Sequence, residues 1–451
     1  MNFRLAPLSA GLLAAGILFS GLAATLPGHA QTAAGGASAT PAAVRPVVLK
    51  AAHLFDGRSG RMSEPGMVVV QGDRIVAIGS NAKVPDGARV IDLGDATLLP
   101  GFIDAHTHIA DDHDDDWAAG IYNGMMRFPA EQAFHAERNA KVTLDAGFTT
   151  IRVLGAGDFI DVALRNAINN GYATGPRMIV AGHAIGSTGG HCDSAPYPVS
   201  RVIPSTPLEG VCNGAEQCRE ATRLQMKYGA DVIKICASGG VLSESDPVDV
   251  PQLTPDELHA IISEAHNWGR KVAAHAHGDT AARLAIEAGV DSIEHGSFLK
   301  PETLQLMKQK GVYLVPTRTT LLWTESKLAG YPPKIAAKAH AAFTSHEAML
   351  RNAIRIGTPI ALGTDAAVFP HGLNGREFGD YVDVGMTPAA ALMTSSIGAA
   401  RLLGVEGDTG TLEAGKYADV VAVPGNVLTD IRATEHPVFV MKQGKVIRGA
   451  E

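Results

Sequence analysis

The sequence has no excess of positive charge, few cysteines, and no long apolar run after its first 30 residues. Of its 451 residues, 38 are Lys or Arg and 46 are Asp or Glu, which gives a formal net charge of −8. A mildly acidic chain has no electrostatic basis for binding nucleic acid or an anionic membrane. Gly and Pro are not in extreme excess, so the composition excludes disorder along the whole chain. No G-x-S-x-G motif is present, which argues against a serine nucleophile.

Residues 1–30 have the pattern of a secretory leader. Arg4 supplies a positive charge, residues 8–26 are apolar, and Gly28 and Ala30 are small residues at the −3 and −1 positions. This pattern predicts a signal peptide cleaved after Ala30, and therefore an exported protein that is periplasmic or secreted. A membrane anchor is the alternative, although Gly and Pro interrupt the run and a spanning helix needs about 20 consecutive apolar residues. Cleavage removes one positive charge, so the net charge becomes −9 (−8 − 1).

The remaining chain divides into four parts by composition and residue pattern. Residues 31–44 are rich in Ala, Gly, Thr and Ser and are predicted to be a flexible linker. Short β-like runs separated by Gly-Asp and Asp-Gly turns fill residues 45–98, and similar β-like runs occur again in residues 406–451. These two β-rich pieces predict one small β-sandwich built from both ends of the mature chain.

The middle part, residues 99–405, alternates between apolar strand-like runs and amphipathic helical runs. One helix start is explicit, because Thr254 and Glu257 form a capping box with Pro255 at the first helical position. The eight strand candidates are LLPGFIDAHTHI, TTIRVLG, RMIVAGHAI, ADVIKICASGG, RKVAAHAHG, DSIEHG, GVYLVPT and TPIALGTDA. Eight strand–helix units predict an α/β fold, a closed (β/α)₈ barrel, and such barrels carry their catalytic groups at the carboxyl ends of the strands.

The chain has four cysteines. Export makes a disulfide possible, and a pair among Cys192, Cys212 and Cys218 is plausible because all three lie in one loop-rich stretch. Cys236 lies in a predicted core strand, so we expect it to be a reduced, buried small residue. The spacings do not match a zinc knuckle.

Two strand ends carry residues suited to a metal site. His106 and His108 end the first strand, and because strand side chains alternate faces, both imidazoles point the same way and can chelate one cation. Two unrelated polar residues at a strand end are the alternative. Lys234 lies inside the apolar run VIKIC, where a bare ammonium is expensive. An ion pair with a carboxylate would relieve that cost. The other possibility is a neutral amine that reacts with carbon dioxide to give a carbamate able to bridge two cations.

Three further strand ends complete the pattern. His275 and His277 share a face of the fifth strand, His295 ends the sixth strand, and Asp365 ends the eighth. A lone His or Asp at any one of these positions is more often structural. Taken together, however, they would meet at one mouth once a barrel closes.

This set of motifs resembles the amidohydrolase superfamily. The resemblance covers nearly the whole mature chain and is carried by PGFIDAHTHI, VIKICASGGV, HAHG, IEHG and LGTDA. Within the superfamily, it is similar to the imidazolonepropionase-like branch that contains Xaa-Pro dipeptidases and ochratoxinase. The resemblance implies His106 and His108 on one metal, His275 and His295 on the other, carboxylated Lys234 bridging both, Asp365 touching the first metal and a bridging hydroxide, and His277 binding substrate or the tetrahedral intermediate.

These roles imply amide hydrolysis without a covalent intermediate. Two divalent ions can share one hydroxide and polarise the scissile carbonyl, and zinc, the default metal, lowers the pKa of bound water to about 7. Other divalent ions fit such ligands too. Asp365 would accept the proton of the attacking hydroxide and pass it to the leaving nitrogen, while His277 would donate to the developing oxyanion.

The expected substrate is a dipeptide or an N-acyl amino acid with a free carboxylate, with Xaa-Pro dipeptides and ochratoxin A as the leading examples. His183 and His191 flank a Gly-rich loop, so each is a candidate substrate contact or a well-bonded loop histidine. Arg318 is a candidate partner for a substrate carboxylate. The acidic run 111–116 either favours a cationic substrate group or is a solvated loop.

Two alternative functions stay open at this point. One is a cyclic amidohydrolase or imidazolonepropionase, and the other is a periplasmic metal-binding or ligand-binding protein without turnover. The resemblance further implies a homo-oligomer, with an octamer as one form. A small-molecule partner is expected, with no nucleic acid and no membrane after cleavage of the signal.

Overall fold

The computed structural model describes residues 45–193, 204–244 and 246–449. The predicted signal peptide and flexible linker lie outside the described residues. The strands are β1 Val47–Ala51, β2 His53–Phe55, β3 Met62–Ser63, β4 Gly66–Gln71, β5 Arg74–Ile78, β6 Arg89–Asp92, β7 Ala96–Pro100, β8 Phe102–Thr107, β9 Phe148–Val153, β10 Arg177–Val180, β11 Val232–Cys236, β12 Lys271–Ala276, β13 Ser292–His295, β14 Tyr313–Val315, β15 Val420–Pro424, β16 Phe439–Lys442 and β17 Lys445–Arg448. The α-helices are α1 Trp117–Met126, α2 Pro129–Asp145, α3 Ile160–Asn169, α4 Ala215–Lys227, α5 Pro255–Asn267, α6 Asp279–Ala288, α7 Pro301–Lys310, α8 Arg318–Ser326, α9 Pro333–Ile356, α10 Arg376–Asp383, α11 Pro388–Met393 and α12 Ala399–Leu403.

The middle of the chain is α/β, as its alternating pattern predicts. β8, β9 and β10 form a three-stranded parallel sheet, and β11 to β14 form a four-stranded parallel sheet in chain order. Every residue of β8, β9 and β11 is buried, as expected for strands covered on both faces. A single parallel bridge between Ile185 and Ile235 connects the end of the first sheet to the start of the second.

The eighth predicted strand is not regular in the structure, so that expectation was wrong in detail. The segment 358–366 makes only two isolated parallel bridges, Ile360 to Leu314 of β14 and Ala366 to Thr107 of β8. Asp365 has a φ of +62°, which breaks the extended conformation that a ladder requires. The segment nevertheless lies hydrogen-bonded between β14 and β8, which brings Asp365 next to the end of β8.

The first predicted strand is two strands separated by Gly101. β7 belongs to a six-stranded sheet, whereas β8 belongs to the parallel sheet that carries His106. A Cβ at Gly101 would lie 2.2 Å from Oγ1 of Thr149, so the chain needs glycine where it changes sheets.

Strands from both ends of the described chain pair with one another. One sheet has the order β5-β4-β1-β6, and the other has the order β17-β16-β15-β7-β2-β3. One hydrophobic cluster combines side chains of both sheets, such as Leu49 and Val68 with Leu98 and Phe439. That these sheets form a β-sandwich domain, with boundaries at residues 98/99 and 405/406, stays a prediction.

The disulfides correct one expectation. Cys212 pairs with Cys218, which confirms a bridge among the loop cysteines. Cys236 is not reduced, because it pairs with Cys192 across a Cα–Cα distance of 5.8 Å. Ile185 hydrogen-bonds along the end of β11, so the loop that follows β10 returns to Cys236.

Two smaller expectations concern helices. The capping box of Thr254 and Glu257 is present, with Pro255 opening α5 as predicted. Among the described residues, no helix has the length and apolar character needed to cross a membrane.

Candidate metal centre

Two histidines and an aspartate meet where β8 ends. The Nε2 atoms of His106 and His108 each lie 3.3 Å from Oδ1 of Asp365, so both imidazoles face the same side, as the alternation of the strand predicts. Asp365 is held there by its backbone N–H, which donates to the carbonyl of His106 at 2.7 Å. Burial would raise the pKa of the Asp365 carboxyl, but contacts with His106 and His108 outweigh it and lower the pKa to about 2.

A second group of histidines comes from the ends of β12 and β13. One nitrogen each of His275, His277 and His295 lie within 4.8 Å of one another, and His295 shares a second such group with His106 and Asp365. The parallel register pairs His275 with Glu294 and Ala276 with His295, so the two strand ends lie side by side. The two groups therefore form one continuous cluster.

Lys234 of β11 lies within this cluster. Its Nζ is 3.5 Å from Nε2 of His106, and the residue is 3% exposed. Within the described ranges no carboxylate oxygen lies within 4.0 Å of Nζ, so the ion pair considered as an alternative is not formed. Burial lowers the pKa of Lys234 to about 8 against the opposing effect of Glu294 and Asp365. A lowered pKa favours the neutral amine, which is the form that reacts with carbon dioxide.

Neighbouring groups decide which nitrogen each histidine offers. Nδ1 of His106 donates to Oε2 of Glu294 at 2.8 Å, and Nε2 of His275 donates to the carbonyl of Gly239 at 3.1 Å. Nδ1 of His295 lies 2.8 Å from Oγ1 of Thr317. In each case one nitrogen has a hydrogen-bond partner outside the cluster and the other is left to serve as a ligand, which is the arrangement that metal-binding histidines show.

Sequence reasoning missed Glu294 and Arg152. Both are buried, and Nη2 of Arg152 lies 2.9 Å from Oε1 of Glu294. Burial would raise the pKa of Glu294, but the charge of Arg152 and the hydrogen bond from His106 lower it to about 2. The sequence did hold one signal for Glu294, because it is an acidic residue directly before His295 in a predicted barrel strand. A charge in a buried strand needs partners.

His277 belongs to the second group of histidines, and the family resemblance implies that it binds substrate or the tetrahedral intermediate. Its Nδ1 is 2.9 Å from Oγ of Ser297, and its backbone N–H donates to Oγ of Ser238 at 2.9 Å. Burial lowers the pKa of His277 to about 3, so the imidazole is neutral at physiological pH. Ser297 can donate its hydroxyl proton to Nδ1, which leaves Nε2–H as a donor.

A cavity of about 600 Å³ opens over the cluster. His183 and His191, the candidate substrate contacts, both line it, and their contact with a substrate stays a prediction. Arg318 is not among the lining residues, because its guanidinium is buried and turned towards Glu347 at 3.2 Å. The structure therefore does not place Arg318 where it could contact a substrate carboxylate in this cavity.

The donor set fits divalent cations. It combines imidazole nitrogens, one carboxylate and a buried amine that has no ion-pair partner among the described residues, and histidine and carboxylate are common protein ligands of zinc.

Comparisons with known proteins agree with this geometry. A model of the amidohydrolase family matches residues 97–449. Ochratoxinase of Aspergillus niger is 34% identical over 426 residues, which cover 89% of this chain and 86% of that protein. A crystal structure of a Xaa-Pro dipeptidase with bound methionine in the active site aligns with a TM-score of 0.86 at 36% identity, covering 90% of this chain and 100% of the other. A prolidase complexed with N-methylphosphonate-L-proline aligns with a TM-score of 0.82 at 28% identity, covering 90% and 100%.

Proposed function

We propose that this chain, which belongs to the amidohydrolase family and is a hydrolase of C–N bonds, cleaves the amide of a dipeptide or an N-acyl amino acid with two divalent cations. The observation that carries the proposal is the cluster at the strand ends, in which buried Lys234 has no carboxylate partner in the part of the chain that the structure describes. In this proposal the parallel strands and segment 358–366 form a closed (β/α)₈ barrel, accompanied by a small β-sandwich.

The ligands divide between the two cations by position. His106 and His108 hold the first cation together with Asp365, and His275 and His295 hold the second. Lys234, carboxylated by carbon dioxide, is shared by both. Zinc is the proposed metal, because imidazole and oxygen donors are its usual ligands in catalytic sites.

The residues around the cations carry the proton and charge changes of the reaction. When bound, the cations supply an activated water at neutral pH and polarise the scissile carbonyl. The Asp365 carboxylate, ionised because its pKa is about 2, accepts the proton released as water attacks and delivers it to the leaving nitrogen. The neutral His277 donates a hydrogen bond from Nε2–H to the carbonyl oxygen of the scissile amide, on which negative charge develops.

Xaa-Pro dipeptides are the first proposed substrates, in line with the similarity to a Xaa-Pro dipeptidase. An adjoining cavity of about 630 Å³ favours a second candidate with a bulkier acyl group, such as ochratoxin A. This cavity shares His108, Asp111 and Val368 with the first, so the two are neighbours. Its wall includes Trp117 and Tyr331, whose ring centroids lie 5.5 Å apart and offer an apolar surface to an aromatic group.

The test combines metal content with a substrate screen. The purified chain is loaded with zinc in bicarbonate buffer, its metal content is measured, and hydrolysis of Xaa-Pro dipeptides, N-acyl amino acids and ochratoxin A is followed by release of the free amino acid. Lys234→Ala should lose the mass of one bound CO₂, lose metal and lose turnover. Lys83→Ala, at an exposed lysine far from the cluster, is the matched control. A parent without metal, or a K234A variant with full turnover, would refute the proposal.

The alternative functions are separated by two further measurements. Asp365→Asn should retain metal but lose hydrolysis, whereas a binding protein without turnover would show no amide hydrolysis in the parent either. Turnover of cyclic amides or imidazolonepropionate in preference to linear amides would favour the ring-opening alternative. Export and a homo-oligomeric state belong to the same proposal and are tested by cell fractionation and light scattering.

A further inference from the structure

His191 lies over the candidate metal centre without being one of its proposed ligands. It is in the loop that follows β10 and lines the main cavity. Its ring centroid is 4.3 Å from that of His275, and the two planes are inclined by 33°, so the imidazole lies against a proposed ligand of the second cation.

A hydrogen-bonded network holds this imidazole from behind. Nδ1 of His191 is 3.3 Å from Oγ of Ser243, and the Ser243 hydroxyl donates to Oδ1 of Asp246. The second carboxylate oxygen of Asp246 accepts from the backbone N–H of Gly240 at 3.0 Å and from Nε2 of Gln252 at 2.7 Å. Oε1 of Gln252 in turn accepts the backbone N–H of His191 at 2.9 Å. The hydrogen bonds therefore form a closed ring that begins at the side chain of His191 and ends at its backbone.

Packing and covalent bonds fix the same position. A Cβ at Gly240 would lie 2.1 Å from Nδ1 of His191, so the ring rests directly on a glycine. Nζ of Lys338 donates to the carbonyls of Gly240 at 2.7 Å and Asp246 at 3.1 Å, which ties the loop to α9. The Cys192–Cys236 disulfide joins the residue after His191 to the end of β11. This is far more support than a loop histidine needs for packing alone.

The network also determines which nitrogen carries the proton. Ser243 has one hydroxyl proton, and its partners other than His191, which are the carboxylate of Asp246 and the carbonyl of Gly240 at 3.2 Å, can only accept that proton. Oγ of Ser243 can therefore only accept from His191, so Nδ1 is the protonated nitrogen of the neutral ring. Among the described residues Nε2 has no hydrogen-bond partner, and it is not sealed from solvent, so its lone pair faces the cavity.

We propose that His191 is a substrate-contacting residue whose Nε2 accepts a hydrogen bond from an N–H group of the substrate, and that Ser243 and Asp246 are its positioning residues. The inference rests on the proposed amide hydrolysis and defines the substrate further. It selects amides that carry an N–H donor beside the scissile carbonyl, which is either the scissile N–H itself or the free amino group of a dipeptide.

The first experiment measures the tautomer directly and does not depend on turnover. In protein labelled with nitrogen-15 histidine, the His191 resonances are assigned by their loss in His191→Phe, which keeps an aromatic ring against His275. The parent should show the Nδ1–H form, and Ser243→Ala should shift the ring towards Nε2–H while metal content stays at the parent level. Ser263→Ala, on the exposed side of α5, is the matched control and should leave the resonances unchanged. A parent ring in the Nε2–H form would overturn the proposal.

The second experiment identifies the donor through substrate pairs. One pair is N-acetylalanine and N-acetyl-N-methylalanine, which differ in the scissile N–H. The other is alanylproline and its trimethylammonium counterpart, which keeps the charge but has no N–H. For the pair that supplies the donor, the parent should prefer the N–H substrate by about 5- to 10-fold in kcat/KM, the value of one net hydrogen bond. H191F and S243A should abolish that preference.

The outcomes separate this inference from the proposed function. A parent that hydrolyses the amides but shows no N–H preference in either pair, or a preference that survives in H191F, overturns the role of His191 alone. A parent that hydrolyses none of the amides refutes the proposed function, and the tautomer measurement still decides whether Ser243 and Asp246 position the ring. Partial recovery of the preference in Ser243→Thr, which restores a hydroxyl, would support positioning rather than general damage to the fold.

Discussion

Replacing Glu294 by Gln should damage both the stability and the metal affinity of this protein. Glu294 and Arg152 are 0% and 1% exposed as side chains, and they are joined at 2.9 Å. The substitution keeps the shape of the side chain but removes the negative charge. Arg152 would then lose its ionic partner and keep hydrogen bonds to Ser292, to the carbonyl of Ala105 and to the amide oxygen of the new side chain.

The expected magnitude follows from the burial of the pair. Breaking a buried ion pair by removing one partner costs about 3–5 kcal/mol, and we take about 3 because the amide retains part of the hydrogen bonding. With an unfolding entropy of about 2.1 cal/mol/K per residue over roughly 400 residues, this lowers Tm by about 3–4 °C. The amide can also donate to Nδ1 of His106, which places the proton on the nitrogen that faces the metal. Loss of such a partner costs about 10- to 100-fold in metal affinity.

The two effects are measured separately. Thermal unfolding of the metal-stripped protein reports the ion pair alone, and competition with a chromophoric chelator reports zinc affinity. Glu287→Gln, which removes a carboxylate from a surface pair with Arg283 at 4.0 Å, is the matched control and should change neither quantity measurably. If E294Q binds zinc as tightly as the parent and its metal-free Tm falls by less than about 1 °C, the buried pair neither supports the fold nor orients His106.

Three further predictions test the surroundings of the centre. Gly240→Ala should lower kcat/KM for amide hydrolysis by at least about 10-fold, because its Cβ would displace His191, whereas Gly407→Ala, with open space around it, should not; equal activities would contradict this. Burial, reinforced by the neighbouring carboxylate of Asp380, raises the pKa of Glu377 to about 8 from 4.5, so the folded state keeps a proton that the unfolded chain loses. The free energy of unfolding should therefore fall by up to about 1.4 kcal/mol per pH unit as pH rises from about 5 to 8. Urea unfolding of E377Q should show a flatter pH dependence than that of the parent. Cys192→Ser opens a bridge between residues 44 apart and should cost about 4 kcal/mol in urea unfolding, and an unchanged midpoint would show that the Cys192–Cys236 bond does not hold the fold.

The candidate ligands were predictable because each rests on a local rule. His106 and His108 share a face through the period of two in a strand, and strand ends of an α/β sheet collect at one edge. The helix start at Thr254 was predictable for the same reason, since a capping box is contained in four residues.

The misses depend on which distant residues meet. Cys236 was expected to be reduced because its own strand is apolar, but its pairing depends on a loop that returns along β11 from more than 40 residues away. The acidic residue before His295 indicated only that a charge there needs partners, because Arg152 and His106, the partners of Glu294, approach it from other strands. The irregular segment before Ala366 includes a left-handed backbone conformation at Asp365, which strand propensity does not encode.

The order of strands in the six-stranded sheet has a consequence for how the chain matures. β7 is an interior strand only once β15 lies beside it, and the register joins Leu99 to Val421. A ribosome must therefore synthesise more than three hundred residues after β7 before that strand can complete its hydrogen bonds. Until then one edge of β7 lacks its partner strand, and an unpaired apolar edge of this kind is prone to pair with other strands.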